Sequence, residues 1–375
     1  MAIEHMKYDL IIVGAGVLGL AHAYQANLKG LNTLVIEKEQ MAIGASVRNF
    51  GMIWPIGQPY GHLFDRAMNS REIWVDLSKK AKFWASESGS IHLAYAKDEW
   101  DILEEFHAKS DGHTLLISPK EILKRSANVN PINLIGGLFS STEVNVNAKQ
   151  AIHSIASYLQ QQQNITFHYG EQVQNIDRTA VQTTHGRYIA HRVLICSGSD
   201  FLTLYPEIFR QSPLIKSKLQ MLRSKAQPAS FTLGPMLCGG LTLRHYASFE
   251  SCRSLEAYRK RIKEESPWFD EWGIHVMAST NETNEIIIGD SHEYGFSFDP
   301  FNKQRINDYI LDYLNKFLLL PNLEMSETWY GVYAKNPEGT EFVHEVDDSV
   351  TIITGFGGAG MTFSFGFAQE FMQNW

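Results

Sequence analysis

The sequence predicts an α/β protein, α+β overall, in which a parallel sheet flanked by helices is joined to a second unit built on an antiparallel sheet plus helices. Three observations predict it. A short β-branched run, Tyr8 to Val13, leads straight into a glycine cluster. Strand-and-glycine patterns of the same kind recur in the middle and at the end of the chain. The stretches between them alternate polar and apolar residues and include helical segments.

At 375 residues the chain is long enough for two globular units with a sizeable core. Its 44% hydrophobic and 20% charged composition is ordinary for a soluble protein, and no apolar run is long enough to suggest a membrane span. The net charge of −8 is spread along the chain in both signs. No basic face is therefore expected, and nucleic acid is excluded as a partner. Cys196, Cys238 and Cys252 form no CxxC pair, which fits reduced thiols in the cytoplasm better than a disulfide framework. The 14 histidines show neither HExxH nor HxxxH spacing, so no metal site is expected. His153, His191 and His292 read as surface or structural residues. The apolar stretch from Leu10 to Leu20 is broken by glycines and preceded by charge, which marks a buried strand and turn rather than a signal-peptide core. The segment before Met6 has no pattern and is left out of the fold reasoning as a frayed terminus.

Gly14-Ala15-Gly16-Val17-Leu18-Gly19 is a GxGxxG fingerprint directly after its strand. Gly14 permits the tight turn, Gly16 lets the backbone approach a pyrophosphate, and Gly19 lets the next helix pack close to the strand. The amino end of that helix then faces the phosphates with free N–H groups and a positive dipole end. The helix runs to about Leu28 and Gly30 ends it. A second strand, Asn32 to Ile36, closes on Glu37, placed to accept hydrogen bonds from an adenosine ribose, with Lys38 beside it. Together these residues predict a Rossmann-like dinucleotide-binding domain. The fingerprint alone does not separate a nicotinamide from a flavin dinucleotide. The following loop, Ile43 to Met52, favours flavin: small and polar, it can run beneath a ribityl chain, with Ser46, Arg48 and Asn49 as polar contacts and Phe50, Gly51 and Met52 completing it. Arg48 is open to a role with flavin or substrate, the flavin side being favoured.

At this point the sequence resembles the superfamily of D-amino-acid oxidase, glycine oxidase and sarcosine oxidase, almost end to end. Glu171 to Ile176 looks like the strand whose valine backbone, here Val173, holds the adenine. Arg192 to Gly198 looks like the strand and turn near the pyrophosphate, which implicates Ser197 and Gly198, and Glu285 to Ser291 resembles a further family strand. Trp329 to Tyr333, followed by Thr351 to Phe356 and Gly357-Gly358-Ala359-Gly360-Met361-Thr362, resembles the carboxy-terminal signature. The resemblance implies FAD, with this glycine loop and helix amino end over the flavin pyrimidine ring. Ala45 to Pro59 and Leu241 to Tyr246 further resemble a subgroup associated with aminophosphonate catabolism. There are departures from the family pattern. Tyr333-Ala334 replaces an Arg-Pro that clamps a substrate carboxylate, and Phe356 replaces a histidine. No cysteine follows Cys252, so the FAD is expected to be held without a covalent link.

The dinucleotide-binding pieces imply a discontinuous FAD-binding domain of about residues 1–85, 145–215 and 322–375, with 86–144 and 216–321 forming the substrate-binding domain. Lys120 to Arg125 reads as helix, Gly136-Gly137 as a turn, and Leu219 to Arg223, Leu241 to Tyr246 and Glu285 to Ile288 as strands. The stripe Tyr309, Leu311, Tyr313, Leu314, Phe317 and Leu318 has helical spacing and reads as core. The implied reaction is hydride transfer from the carbon bearing a small amine to flavin N5, followed by imine hydrolysis, with oxygen or another acceptor taking the electrons. No catalytic side chain is assigned beyond flavin N5, because the cofactor carries the hard step. An aminophosphonate such as 2-aminoethylphosphonate, or its N-methyl or 1-hydroxy derivative, needs cations and donors near the flavin. The candidates are Arg244, on a strand facing it, with His245 and Tyr246; Lys335; and Tyr333, Trp54 and Gln58 as pocket lining. The alternatives are a D-amino acid, glycine or sarcosine as substrate, or a non-enzymatic flavin-binding redox sensor.

Overall fold

The structure, a computed structural model, describes residues 7–373 and 375; the amino-terminal segment set aside above lies outside them. Strand β1, Lys7–Val13, is followed by helix α1, Val17–Leu28, and strand β2, Thr33–Glu37. Leu10 and Ile12 of β1 join one core cluster while Ile11 and Val13 join another. The strand is therefore buried on both faces, which is why its sequence is a continuous apolar run. Five strands lie parallel in the order Ile165–Tyr169, β2, β1, Arg187–Ile195 and Val350–Thr354. An antiparallel edge strand, Phe342–Glu345, and the hairpin Val173–Asp177 with Ala180–Thr183 complete this eight-stranded sheet. α1 packs against the last helix, Gly360–Phe371, which also packs on His62–Lys80. That second contact is close: a Cβ on Gly366 would lie 2.3 Å from the Arg66 carbonyl oxygen.

The second unit is a nine-stranded, mostly antiparallel sheet whose core includes Leu237, Ile288, Leu314, Phe317 and Leu318. The stripe of helix Gln304–Phe317 packs on it as the spacing predicts. Three expectations fail here. Gly136-Gly137 is no turn but opens the strand Gly136–Ser140, where added Cβ atoms would come within 2.5 Å of Trp100 and 2.8 Å of the His92 carbonyl oxygen. The glycines are there for close approach. Leu241 to Tyr246 is no strand: the chain turns into a 3₁₀ helix, Gly240–Arg244, that buries Leu241, Thr242 and Leu243 together. Gly239 and Gly240 precede and open this turn, with Tyr313 and Glu99 packed against them too closely for any side chain. Finally, Met325–Lys335, expected with the dinucleotide-binding pieces, pairs along its length with Ile215–Ser224 in the nine-stranded sheet. A small sheet of Met52–Ile53, Val144–Val146 and Ala85–Ser86 is formed separately. Among the described residues no helix is long and apolar enough to cross a membrane.

Candidate active site

Val13 and Thr354 end two of the parallel strands and Cys196 directly follows a third, and all three residues line one cavity of about 640 Å³. Ligands of open parallel sheets bind at these carboxyl ends. Gly14 sits at φ +103°, and a Cβ there would lie 2.5 Å from the Cys196 carbonyl oxygen; a Cβ on Gly19 would lie 1.9 Å from that of Gly14. The turn therefore closes only with glycine at both positions, and it brings the amino end of α1 to the cavity. Glu37 is fixed there by the backbone N–H groups of Ala15 at 2.9 Å and Glu39 at 3.1 Å. The Ser46 hydroxyl accepts from the Val17 N–H at 2.9 Å.

The residues expected around a dinucleotide are brought together as follows. Gly14, Gly16, Val17, Leu18, Glu37, Lys38, Ser46, Arg48, Val173, Ser197, Gly198, Gly357 and Gly360 line this cavity. Lys38 pairs with Asp200 at 3.0 Å on its exposed rim. Ala15, Gly19 and Gly51 do not line it and act through the backbone. A Cβ on Gly51 would lie 1.8 Å from the Val146 carbonyl oxygen. Asn49 folds the loop, donating to the Ala45 and Ser46 carbonyls at 3.0 and 2.9 Å and accepting from the Gly51 N–H at 2.8 Å. A glycine cradle that a side chain would fill, an anchored acid and a helix amino end together fit FAD.

A second cavity of about 290 Å³ shares Gly355, Phe356 and Gly357 as wall with the first. Asn49, Phe50, Met52, Gly358, Ala359, Met361 and Thr362, expected beside the flavin, line this second cavity. So do Trp54, Gln58, His245, Tyr246 and Lys335. Trp54 is held by its backbone N–H donating to Thr362 Oγ1 at 3.0 Å, and its ring and that of Tyr246 close over Gly57. Gln58 donates to the Trp54 carbonyl at 3.4 Å. Lys335 Nζ lies 4.8 Å from the Tyr294 ring centroid. Tyr333 lines the larger cavity instead.

Arg244 reaches neither cavity. With its segment turned into a 3₁₀ helix, it pairs with Asp270 and donates to the Phe269 and Ile274 carbonyls at 3.1 and 2.9 Å. It lines a separate surface depression with Arg259 and Lys263. The sequence reading also missed His275 and Asp290. His245, His275 and His292 converge so that one ring nitrogen of each lies within 4.8 Å of the others, with Asp290 Oδ1 2.9 Å from His275 Nε2. These positions come from three distant segments, so spacing gave no signal. His292, read as surface or structural, is buried, and burial pushes its pKa down to about 4.

The three cysteines are free and buried. Cys196 lines the cofactor cavity, yet burial pushes its thiol up to about 12. At pH 8 roughly one molecule in ten thousand carries the thiolate, so the native protein should leave Cys196 unalkylated by iodoacetamide. Peptide mass spectrometry reads this out, and stoichiometric labelling of the folded protein would contradict it.

A family model described as "FAD dependent oxidoreductase", DAO, matches residues 9–373. A subunit of opine oxidase from Rhizobium meliloti is 24% identical over 256 residues, covering 63% of this chain and 67% of that protein. N-methyl-L-tryptophan oxidase of Escherichia coli O157:H7 is 26% identical over 225 residues, covering 54% of this chain and 57% of that protein. The chain thus matches between about half and two thirds of these relatives' lengths. Among solved structures, glycine oxidase from Geobacillus kaustophilus superposes with a TM-score of 0.76 at 18% identity, covering 98% of this chain and 94% of that one. L-proline dehydrogenase from P. horikoshii superposes at 0.78, also at 18% identity and with the same coverages. These likenesses show the fold, and the end-to-end family match, arriving at the same residues as the cradle and its helix, places the chain in the DAO family of FAD-dependent oxidoreductases.

Proposed function

We propose that this enzyme oxidises a small amine in the second cavity, and that the amine is an aminophosphonate: 2-aminoethylphosphonate or its N-methyl or 1-hydroxy derivative. The observation that carries the reading is the shared wall of Gly355, Phe356 and Gly357, which sets a small cavity holding Lys335 directly against the cofactor cavity. FAD, when bound, would supply the two-electron acceptor for oxidation of the carbon bearing the amine, and hydrolysis of the resulting imine would give an aldehyde, phosphonoacetaldehyde in the simplest case, plus ammonia or methylamine. The protein's part is to hold and orient the amine. Trp54 and Tyr246 keep water off it, Gln58 offers an amide, and Lys335 with His245 takes the anionic tail. FAD is held here without a covalent link.

The names of two relatives, glycine oxidase and N-methyl-L-tryptophan oxidase, support amine oxidation. They also sustain a second reading, in which glycine, sarcosine or a D-amino acid is the substrate. Tyr333-Ala334 in place of the carboxylate clamp favours the phosphonate. An anaerobic screen of the yellow protein tests the choice. Aminophosphonates are expected to bleach the flavin at lower concentration than glycine, sarcosine or D-amino acids do, and the reverse order would overturn the assignment. Readmitting oxygen then decides the acceptor: reoxidation far slower than turnover identifies a dehydrogenase.

A further inference from the structure

We infer that His245 is a specificity-determining residue of the second cavity, taking up a proton as an anionic substrate tail arrives, so that the tail meets two cations rather than one. This rests on the reading above, in which the tail lies in that cavity beside Lys335. His245 and Lys335 both line it, and no aspartate or glutamate is among the described residues that do. Lys335 alone among them carries a fixed charge. His245 caps the 3₁₀ helix Gly240–Arg244 and is exposed, and neither of its ring nitrogens hydrogen-bonds to another described residue. Its face lies on the His275 ring, with centroids 3.8 Å apart at 31°, and the His292 centroid is 4.7 Å away. Stacking leaves its nitrogens at the ring edge, free for a ligand in the cavity.

The groups packed around His245 decide its charge. Tyr246 stands edge-on with its centroid 5.1 Å away, and Lys335 and Arg244 bring positive charge. Desolvation against these neighbours, then repulsion from His275, His292, Lys335 and Arg244, holds the His245 pKa well below that of a free imidazole. The empty cavity therefore keeps it neutral. Asp290 does not reverse this, because its Oδ1 faces His275 Nε2 at 2.9 Å and His292 Nδ1 at 3.9 Å, on the other side of the stack. Negative charge entering from the cavity changes the balance: about 4 Å from the ring, one unit favours the protonated form by roughly a thousandfold. A doubly charged tail adds more than a carboxylate does, and the protonated ring then donates to it beside Lys335. The pair thus selects a dianionic tail, and affinity for it rises as pH falls.

Inorganic sulfate is the probe: it is tetrahedral, doubly charged and does not titrate near neutral pH, so any proton taken up goes to the protein. It is added to the oxidised, FAD-loaded full-length protein, and binding beside the flavin is read from the shift in visible absorbance. Calorimetry at about pH 7 in buffers of different ionisation enthalpy is expected to show uptake of roughly half to one proton per sulfate, with affinity falling by up to about tenfold per pH unit as pH rises. In His245→Gln the uptake should vanish, the pH dependence should flatten, and the preference for sulfate over acetate should drop by about tenfold. Lys335-dependent binding without proton uptake, or uptake that survives in His245→Gln, overturns the role of His245 and leaves the anion in the second cavity. Sulfate binding that is absent, or indifferent to Lys335→Met, overturns both. Should His245→Gln not fold, NMR of isotope-labelled histidine in the wild type decides: one imidazole is expected to become protonated as sulfate saturates the protein, and no change in any imidazole refutes the assignment.

Discussion

Gly19→Ala is expected to yield a protein that no longer retains FAD. The new methyl carbon would sit 1.9 Å from the carbonyl oxygen of Gly14, a backbone atom in the turn that forms the cradle. No side-chain rotation relieves that clash. α1 must move away from β1, and with it the N–H groups of Ala15 and Val17 that hold Glu37 and Ser46. Overpacking of this kind costs about 1–3 kcal/mol or more, and since the displaced atoms form the phosphate site, FAD affinity should fall roughly 100-fold. Gly16→Ala provides the contrast. Its Cβ would meet only the Ser46 hydroxyl, at 3.0 Å. The apoprotein should therefore melt near the wild-type temperature while FAD binding weakens, because the methyl group enters the path of the pyrophosphate. Gly186→Ala, with nothing nearer than 3.9 Å, is the neutral control. The ratio of flavin to protein absorbance after gel filtration measures all three. A yellow Gly19→Ala protein with near-stoichiometric FAD would show that the fingerprint is not the cradle.

The contrast between Gly19 and Arg244 shows what the sequence could and could not reveal. The first βαβ unit was legible because every requirement in it is local. A β-branched run, three spaced glycines, a small-residue helix and a terminal acid lie within about thirty residues of one another, and each has one physical reason to be there. Arg244 failed because Leu241 and Leu243 alternate with polar residues as they would on a strand. The packing around the turn there, Glu99 against Gly240 and Tyr313 against Gly239, comes from distant segments. The same holds for Gly136-Gly137, where glycine marks the approach of Trp100 rather than a reversal. The histidine cluster lay beyond motif reading altogether, since its three members share no period and meet only through the second sheet.

On the proposed aminophosphonate reading, the place of the substrate anion turns on Lys335 against Arg244. Lys335 lines the second cavity and ends the strand Met325–Lys335, and its backbone bridges Phe356 in the wall shared with the cofactor cavity. Its backbone is thus fixed in that wall, and its ammonium donates to the Tyr294 hydroxyl at 3.4 Å, a contact that the proposed substrate anion would replace or share. Arg244 is tied to Asp270 and to two carbonyls outside that cavity, and releasing it would break all three contacts. A charge-assisted hydrogen bond is worth about 1.5–3 kcal/mol. Lys335→Met should therefore raise the aminophosphonate concentration for half-maximal anaerobic flavin reduction by roughly 10- to 100-fold. The limiting rate should change far less, because the lost contact serves ground state and transition state alike. Arg244→Met should leave that concentration where it was and lower only thermal stability. If Arg244→Met weakens the substrate and Lys335→Met does not, the second cavity is not where the phosphonate sits. If glycine and sarcosine depend on Lys335 while aminophosphonates leave the flavin oxidised, the lysine binds a carboxylate and the substrate is an amino acid.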